Sequence, residues 1–289
     1  MASHTLAHLH PSIRPHAGLD NEQRLRMLQR DRWIDYPRAT EAMQRLERLR
    51  QMPQRERMPC LVLHGRSNIG KTLIIAKFLR DHPPHFDERR GTERREIISL
   101  QMPATPDQRR FYSALLFELG APQSATATLA SLERVARDLL RRLAPRMLIV
   151  DEVHHLLAGS HVEQRASLNL LKYLANDLKI SIVAVGTGDA PLAFQTDSQM
   201  SSRFVPFEIP CWNESEEFRR LLRAFEQVLP LRNSSDLAQR PIAQFLLAAS
   251  SGLLGEISRI LTEAAEHAIH DGSERISLEL LECAAYGPH

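Results

Sequence analysis

The sequence predicts an α/β protein, with a parallel sheet of five strands flanked by helices and followed by a small all-helical domain. Two observations point to this class. As far as Pro210, short apolar runs alternate with amphipathic segments of helical length, the pattern of parallel strands joined by crossover helices. Beyond Pro210 the strand pattern stops and only helical periodicity continues. With 289 residues, of which 43% are hydrophobic, the chain has room for one large or two medium cores.

The strand candidates are five short apolar runs, at residues 60–64, 96–101, 147–150, 181–185 and 204–209. Helical periodicity separates them, at residues 71–80, 108–119, 129–143 and 165–177. Four further helices are expected after Pro210, at residues 214–228, 242–249, 253–269 and 278–285. Because helix-length segments join the strands, we expect the sheet to be covered on both faces.

The chain is predicted to contain four segments. Residues 1–20 mix histidine, proline and glycine without periodicity, and are expected to form a flexible N-terminal arm. Residues 21–58 have the pattern of a helical extension that Pro37 interrupts, because proline ends or begins a helix. An α/β core at 59–211 and a helical domain at 212–289 complete the prediction.

The composition excludes several classes of protein. No apolar run is long enough to cross a membrane, and the N-terminus lacks the apolar core of a secretory signal, so we expect a cytoplasmic protein without a membrane partner. Cys60, Cys211 and Cys283 are far apart, which argues against a disulfide framework and a zinc site. Of 37 basic residues only four are lysines. A GC-rich genome explains the arginine excess as well as phosphate binding does.

A phosphate-binding loop is indicated between the first strand and the next helix. There GRSNIGKT places Gly65, Gly70, Lys71 and Thr72 in the G-x-x-x-x-G-K-[ST] arrangement. In such a loop, backbone N–H groups surround phosphate, the lysine neutralises β- and γ-oxygens, and the hydroxyl holds Mg²⁺. The segment therefore predicts a nucleoside triphosphate site; the alternative is a chance glycine loop.

Two acids follow the third strand candidate, in RMLIVDEVHHLL. We expect Asp151 to hold the Mg²⁺ shell and Glu152 to act on the attacking water as general base, because ligands bind at the carboxyl ends of parallel strands. The alternative is a pair of acids that only begins a helix.

Two further polar residues are candidates for the same reaction. Thr187 follows the fourth strand in VAVGTGDA and is expected near the γ-phosphate and the water, unless this turn serves geometry alone. Arg203, in DSQMSSRF, is expected to reach the nucleotide of a neighbouring subunit, where such an arginine contributes about 10³–10⁵ in rate. An ordinary surface ion pair is the competing interpretation.

These motifs, in this order and with a helical segment after them, resemble an AAA+ P-loop ATPase. More narrowly, the chain resembles the TniB family of ATP-dependent regulators of Mu- and Tn7-like transposition over residues 30–285. The strings that carry this resemblance are WIDYPRA, VDEVHHLL, VGTGDA, SSRF and SGLLGEISRILTEAA.

The resemblance implies an ATPase with ATP and Mg²⁺ as cofactors, in which the C-terminal helices form a lid. Such a protein oligomerises on duplex DNA as a ring or helical filament, recruits a DDE transposase, works with a TniQ-like targeting protein and disassembles on hydrolysis. The phosphate loop would comprise Gly65, Arg66, Ser67, Asn68, Ile69, Gly70, Lys71, Thr72 and Leu73.

The resemblance also implies roles for residues outside these motifs. Ile34, Tyr36 and Pro37 would line the adenine; their alternative is a kink between packed helices. A second-sensor arginine is missing, because Gly255 stands at its position, and Arg259 one turn later is the expected substitute.

Duplex DNA is expected to contact basic residues through phosphates, with little sequence preference. The candidates are Thr105, Arg109 and Arg110 after the second strand and Arg165 and Lys172 after the acids, each with a solvated surface position as its alternative. The charged run ERRGTERRE is expected to be a solvated loop.

Two other functions share the motifs. One is a nucleotide-gated scaffold that orders an oligomer with negligible hydrolysis. The other is a different small AAA+ ATPase, such as a helicase loader or a secretion ATPase.

Overall fold

The computed structural model describes residues 6–88, 91–195 and 198–287. These divide into two compact units, which are considered separately. One unit, residues 41–67 and 71–209, contains the sheets and is called the sheet unit. The other consists of the described parts of residues 1–40 and 210–289 together with 68–70, and is called the helical unit.

A five-stranded parallel sheet forms the centre of the sheet unit, with strand order β4-β5-β6-β1-β7. The strands, together with a separate two-stranded hairpin, are β1 (Cys60–His64), β2 (His85–Asp87), β3 (Thr92–Arg94), β4 (Ile97–Gln101), β5 (Met147–Asp151), β6 (Ser181–Gly186) and β7 (Phe204–Glu208). Each strand of the large sheet lies within one residue of its predicted bounds, so the predicted α/β class and five-stranded parallel sheet are confirmed.

The helices alternate with the strands of the large sheet and then continue alone, as predicted. They are α1 (Arg14–Ala17), α2 (Asn21–Leu28), α3 (Pro37–Gln51), α4 (Lys71–Asp81), α5 (Gln108–Glu118), α6 (Leu129–Leu143), α7 (His161–Leu178), α8 (Ala190–Gln195), α9 (Ser198–Ser201), α10 (Glu216–Val228), α11 (Arg240–Ser250), α12 (Leu254–His270) and α13 (Leu278–Tyr286). Two 3₁₀ helices cover Leu6–His8 and Val153–Ala158.

The core of the sheet unit explains why its central strands are continuous apolar runs. Met147, Leu148, Ile149 and Val150 of β5 are completely buried, and every residue of β6 is buried as well. A strand covered by helices on both faces has no solvent side on which a polar residue is tolerated. For these strands, a continuous run of apolar residues is therefore a better predictor than an alternation of apolar and polar residues.

The hairpin of β2 and β3 corrects the prediction for ERRGTERRE, which was expected to be a loop. His85 pairs with Arg94 and Asp87 with Thr92 in antiparallel register. Arg89 and Arg90 lie outside the described residues. The strands are only three residues long and mostly exposed, so no buried face marks them in the sequence.

Residues 6–20 do not form the flexible arm that was predicted. The Leu9 and Ala17 side chains are 2% and 1% exposed within the helical unit. The His10 N–H donates to the Gln227 carbonyl at 2.9 Å, and Arg232 Nε donates to the Ala17 carbonyl at 3.1 Å. The segment is therefore packed and hydrogen-bonded. It lacks periodicity because its ordered stretches are only three or four residues long.

A buried ion pair ties α2 to the segment after α12 within the helical unit. The Arg24 guanidinium, which is fully buried, donates to both carboxylate oxygens of Glu274, at 2.6 and 2.7 Å. It also donates to the Pro230 carbonyl at 3.2 Å. Burial by itself raises the pKa of Glu274, but the hydrogen bonds and charge of Arg24 outweigh it and leave the pKa lowered.

The remaining sequence expectations concern thiols and membranes. Cys60, Cys211 and Cys283 are all free thiols, and burial raises the pKa of Cys60 to about 11. Among the described residues no single helix has the length and apolarity to cross a membrane, although α11 and α12, bent by 120° at their junction, meet that test as a pair.

Candidate active site

The loop between β1 and α4 has the backbone that its glycines predict. Gly70 has φ +98°, a conformation that L side chains rarely adopt, and Asn68 has φ +64° in the left-handed region. Lys71, the first residue of α4, is 9% exposed. Its ammonium donates to the carbonyls of Gly65 and Arg66, both at 2.9 Å. The lysine is thus held against its own loop.

The two predicted acids lie in the electrostatic field of that lysine, within the sheet unit. Burial lowers the pKa of Lys71, and the charges of Asp151 and Glu152 oppose that shift. For Asp151, burial raises the pKa and the Glu152 charge adds to it, while the Lys71 charge acts the other way. Lys71, Asp151 and Glu152 therefore lie within range of one another's charges, at the carboxyl edge of the sheet.

The residues expected to hold Mg²⁺ fit a divalent cation. Thr72 and Asp151 line the same cavity, of about 500 Å³, which extends between α4 and α5 over β4. A half-buried carboxylate whose pKa is raised, as that of Asp151 is, is a position where a cation would stabilise the ionised form. A hydroxyl and a carboxylate offer the oxygen ligands that Mg²⁺ prefers.

Glu152 has an unusual backbone for a residue with a side chain, with φ 55° and ψ 32°. Its N–H donates to Asp151 Oδ1 at 2.7 Å, and its carbonyl accepts from His155 N–H at 3.0 Å. Such a conformation costs of order 1 kcal/mol and turns the chain sharply after β5.

Thr187 follows β6, which lies between β1 and β5 in the sheet. It is half-buried, and its carbonyl accepts from the Ala190 N–H at 3.0 Å. Gly186 before it leaves no room for a side chain, because an added Cβ would lie 2.8 Å from Ala190 Cβ and 3.1 Å from Val153 Cγ1. Thr187 is therefore at the same edge of the sheet as the acids.

Arg203 lies at the amino-terminal ends of the parallel strands, whereas the acids and Thr187 lie at their carboxyl ends. It precedes β7, which runs parallel to β1, so the length of a strand, roughly 16 Å, separates it from the level of the phosphate loop. Its guanidinium donates to Asn176 Oδ1 at 2.8 Å and to the Met58 carbonyl at 3.1 Å. The structure does not bring Arg203 together with Lys71 and the acids of the same chain.

Of the predicted adenine residues, Tyr36 is the one that is buried. It is 7% exposed and packs edge-to-face on Trp212, with ring centroids 5.3 Å apart, whereas Ile34 is half-buried and Pro37 exposed. Burial raises the pKa of Tyr36 to about 12, and its hydroxyl has no hydrogen-bond partner among residues 6–88, 91–195 and 198–287. Sequence reasoning missed Trp212, for which no local motif was available.

Within the helical unit the tip of the loop contacts the first turn of α12. The Gly255 N–H donates to the Asn68 carbonyl at 2.9 Å, and Asn68 Nδ2 donates to Glu256 Oε1 at 2.9 Å. A Cβ on Gly255 would lie only 1.9 Å from Asn68 Oδ1. With Asn68 in this position, there is no room for a side chain where a second-sensor arginine was sought.

Arg259, the expected substitute for that arginine, bonds elsewhere. Its guanidinium donates to Glu256 Oε2 and Glu263 Oε2, both at 2.9 Å, and to the Ala284 carbonyl at 3.2 Å. Glu256, rather than Arg259, is the charged side chain of α12 that bonds the loop tip.

The structure brings four of the five candidate DNA contacts, Thr105, Arg109, Arg110 and Arg165, to neighbouring segments. The loop after β4 packs on the turn before α7, since a Cβ on Gly159 would lie 2.3 Å from Pro106 Cγ. Gln108 Nε2 donates to the Ala166 carbonyl at 3.2 Å, which joins the starts of α5 and α7.

Lys172, the fifth candidate, bonds elsewhere. It lies about 10 Å further along α7 than Arg165 and bonds Gln199 of α9 instead.

The fold is similar to that of solved ORC and Cdc6 proteins. The Aeropyrum pernix ORC1 protein in complex with DNA aligns with 16% identity and a TM-score of 0.62, over 90% of this chain and 68% of that one. The Aeropyrum pernix ORC2 protein aligns with 18% identity and a TM-score of 0.60, over 90% and 71%. The CDC6P protein of Pyrobaculum aerophilum aligns with 15% identity and a TM-score of 0.57, over 92% and 70%. At these identities the likeness concerns the fold, which is that of AAA+ P-loop ATPases.

In sequence, no curated protein matches the chain. The family described as bacterial TniB protein matches residues 24–214, well over half of the chain. This chain therefore belongs to the bacterial TniB family.

Proposed function

We propose that this protein is a Mg²⁺-dependent ATPase that regulates DNA transposition. In this proposal it assembles on duplex DNA with ATP bound, recruits a DDE transposase with a TniQ-like targeting protein, and disassembles as ATP is hydrolysed. Membership of the TniB family supports the role in transposition, and the AAA+ fold supports the nucleotide chemistry.

The observation that carries the proposal is the meeting of Lys71, Asp151 and Glu152 at the carboxyl edge of the sheet. Backbone N–H groups of the loop and the Lys71 ammonium would bind the phosphates, and Thr72 with Asp151 would hold Mg²⁺. The cation, when bound, neutralises charge on the phosphate oxygens. The Glu152 carboxylate would orient a water and accept its proton, and the Thr187 hydroxyl would hold that water in place.

The proposed homo-oligomer is supported by Arg203. Because this residue precedes β7, at the other end of the sheet from the loop, it is unsuited to serve the nucleotide of its own chain. A second copy is needed to present its guanidinium to the γ-phosphate, where it would stabilise charge in the transition state.

The proposed DNA surface consists of Thr105, Arg109, Arg110 and Arg165. Arg109, Arg110 and Arg165 are exposed, and the segments that carry them are joined by the Gln108 hydrogen bond. Exposed arginines in the first turns of two neighbouring helices are suited to contact phosphates, which carry no sequence information. Binding is therefore expected to be sequence-nonspecific and to weaken steeply as salt rises.

The proposal is tested by ATP hydrolysis with and without duplex DNA. Glu152→Gln is expected to bind ATP like the parent protein but to hydrolyse it about 10²–10⁴-fold more slowly, because the general base is lost. Glu279→Gln, an exposed acid of α13, is the control and is expected to keep the parent rate. A parent rate in Glu152→Gln would overturn the role of that acid. No hydrolysis by the parent protein under any condition would favour the nucleotide-gated scaffold instead.

A further inference from the structure

Three side chains that directly follow β5 are grouped as a metal-binding site would be. Glu152, His154 and His155 each present one potential ligand atom, and these three atoms lie within 4.8 Å of one another. All three residues are half-buried. This cluster adjoins the Thr72 and Asp151 pair, to which Mg²⁺ was assigned, but includes neither of those two residues.

The backbone holds the cluster together. Glu152 turns the chain with its left-handed conformation, and the hydrogen bond from the His155 N–H to the Glu152 carbonyl, at 3.0 Å, closes the turn. Val153 and Leu156 on either side of the histidines are completely buried in the core. The three ligands lie within four residues of a hydrogen-bonded turn. Because folding has already ordered this backbone, metal binding loses little further conformational entropy.

His155 is oriented as a metal ligand would be. Its Nδ1 lies 3.1 Å from the Met102 carbonyl oxygen, which only accepts hydrogen bonds. The proton of a neutral His155 ring therefore sits on Nδ1, and Nε2 carries the free lone pair. A second ring nitrogen that donates to a backbone carbonyl is the usual support of a metal-bound histidine.

His154 has a ring nitrogen that needs a partner. Its Nδ1 is shielded from solvent and makes no hydrogen bond of acceptable geometry within the described part of the chain; Glu152 Oε2 lies 3.3 Å away. A metal ion between these two atoms would satisfy both. Ligands around a tetrahedral ion at 2.0–2.2 Å are roughly 3.4 Å apart. The 3.3 Å between His154 Nδ1 and Glu152 Oε2 is close to that spacing.

From this geometry we propose that Glu152, His154 and His155 form an inhibitory site for Zn²⁺ or a similar transition-metal ion. Two imidazole nitrogens and one carboxylate suit Zn²⁺, Co²⁺ or Ni²⁺ and disfavour Mg²⁺, which prefers oxygen ligands. A metal bound here occupies the Glu152 carboxylate. Since that carboxylate is the general base of the proposed function, on which this consequence rests, metal binding stops hydrolysis and leaves the phosphate loop free to hold ATP.

The site itself is tested by titrating tag-free, full-length protein with Zn²⁺ in excess Mg²⁺, without nucleotide, by calorimetry. The parent protein is expected to bind one equivalent, and His154→Asn and His155→Asn are each expected to bind it more than about tenfold more weakly. Asparagine at 155 keeps a donor for the Met102 carbonyl, so the turn is preserved. The control is the double variant His10→Asn, His16→Asn, which alters other histidines and is expected to bind like the parent.

The outcomes separate this inference from the proposed function. The proposed metal site is wrong if the parent protein does not bind one equivalent of Zn²⁺ tightly, or if only the His10→Asn, His16→Asn control loses that binding. Zn²⁺ at the concentration that fills the site is expected to suppress ATP hydrolysis by the parent, while His155→Asn keeps its own zinc-free rate. If zinc binds and hydrolysis continues unchanged, the inhibitory role is wrong, although the metal site stands. The calorimetric result is read independently of any ATPase activity.

Discussion

Gly255 offers a sharp test of the contact between α12 and the tip of the phosphate loop. At an unobstructed position in a helix, replacing glycine by alanine stabilises a protein by up to about 1 kcal/mol. Here the added Cβ would lie 1.9 Å from Asn68 Oδ1 and 2.5 Å from its Cγ. For Gly255→Ala, helix propensity therefore predicts an increase in the free energy of unfolding, whereas local packing predicts a decrease.

The magnitude follows from what has to move. The three atoms nearest to the new methyl group all belong to the Asn68 side chain, and rotating that side chain away breaks its 2.9 Å hydrogen bond to Glu256. A hydrogen bond to a charged group contributes about 1.5–3 kcal/mol, and its partial exposure places this one at the lower end. After the gain in propensity is subtracted, Gly255→Ala is expected to destabilise the helical unit by about 1 kcal/mol.

A double-mutant cycle isolates the clash. Asn68→Gly removes the obstructing side chain, and glycine accepts the φ of +64° at that position. In this background Gly255→Ala is expected to stabilise the protein by up to about 1 kcal/mol. Both tryptophans, Trp33 and Trp212, belong to the helical unit, so urea unfolding followed by tryptophan fluorescence reports on it. Equal stabilisation by alanine in both backgrounds would refute the reasoning.

Two further predictions concern the buried ion pair and the trans arginine. Arg24→Met leaves Glu274 buried without its partner and is expected to cost about 3–5 kcal/mol of unfolding free energy in urea; a loss below about 1 kcal/mol would contradict this. Because the folded-state pKa of Glu274 is lowered, the contribution of its ionised form to folding stability is fully present above the unfolded-state pKa of about 4.3 and is lost as the pH falls below that value. The thermal midpoint of the parent protein is therefore expected to fall over this pH range, and that of Arg24→Met is expected not to show this fall. Arg203→Ala is expected to abolish hydrolysis by itself and to regain activity when mixed with Glu152→Gln, which supplies the missing arginine. The control for Arg203→Ala is Asn176→Ala, which removes the hydrogen bond between Arg203 and Asn176 but keeps the guanidinium. If mixing Arg203→Ala with Glu152→Gln restored no hydrolysis, action of Arg203 in trans would be excluded.

Long apolar segments made most of the fold predictable. The central strands β5 and β6 are covered on both faces, so each is a nearly continuous apolar run whose limits are visible in the sequence. The meeting of Lys71 with Asp151 and Glu152 was also predictable, because the carboxyl ends of parallel strands share one edge. These predictions need only local pattern and one general rule of sheet topology.

The features that escaped prediction depend on contacts between distant parts of the chain. Leu9 is buried in a segment whose neighbouring residues, His8 and His10, hydrogen-bond to the distant Leu231 and Gln227 carbonyls, and nothing in its own neighbourhood indicates that. Gly255 was noted only as a missing arginine, since its contact with Asn68 spans 187 residues. The exposed three-residue strands of the hairpin leave no hydrophobic pattern at all.

The most direct test of the central claim is equilibrium binding of a fluorescent ATP analogue in the presence of Mg²⁺. Lys71→Ala is expected to weaken binding at least about tenfold, or 1.4 kcal/mol, because the phosphates lose their main cation. Lys77→Ala, on the same helix but paired with Asp81, is expected to bind like the parent protein. Equal affinity of the parent and Lys71→Ala would contradict the account.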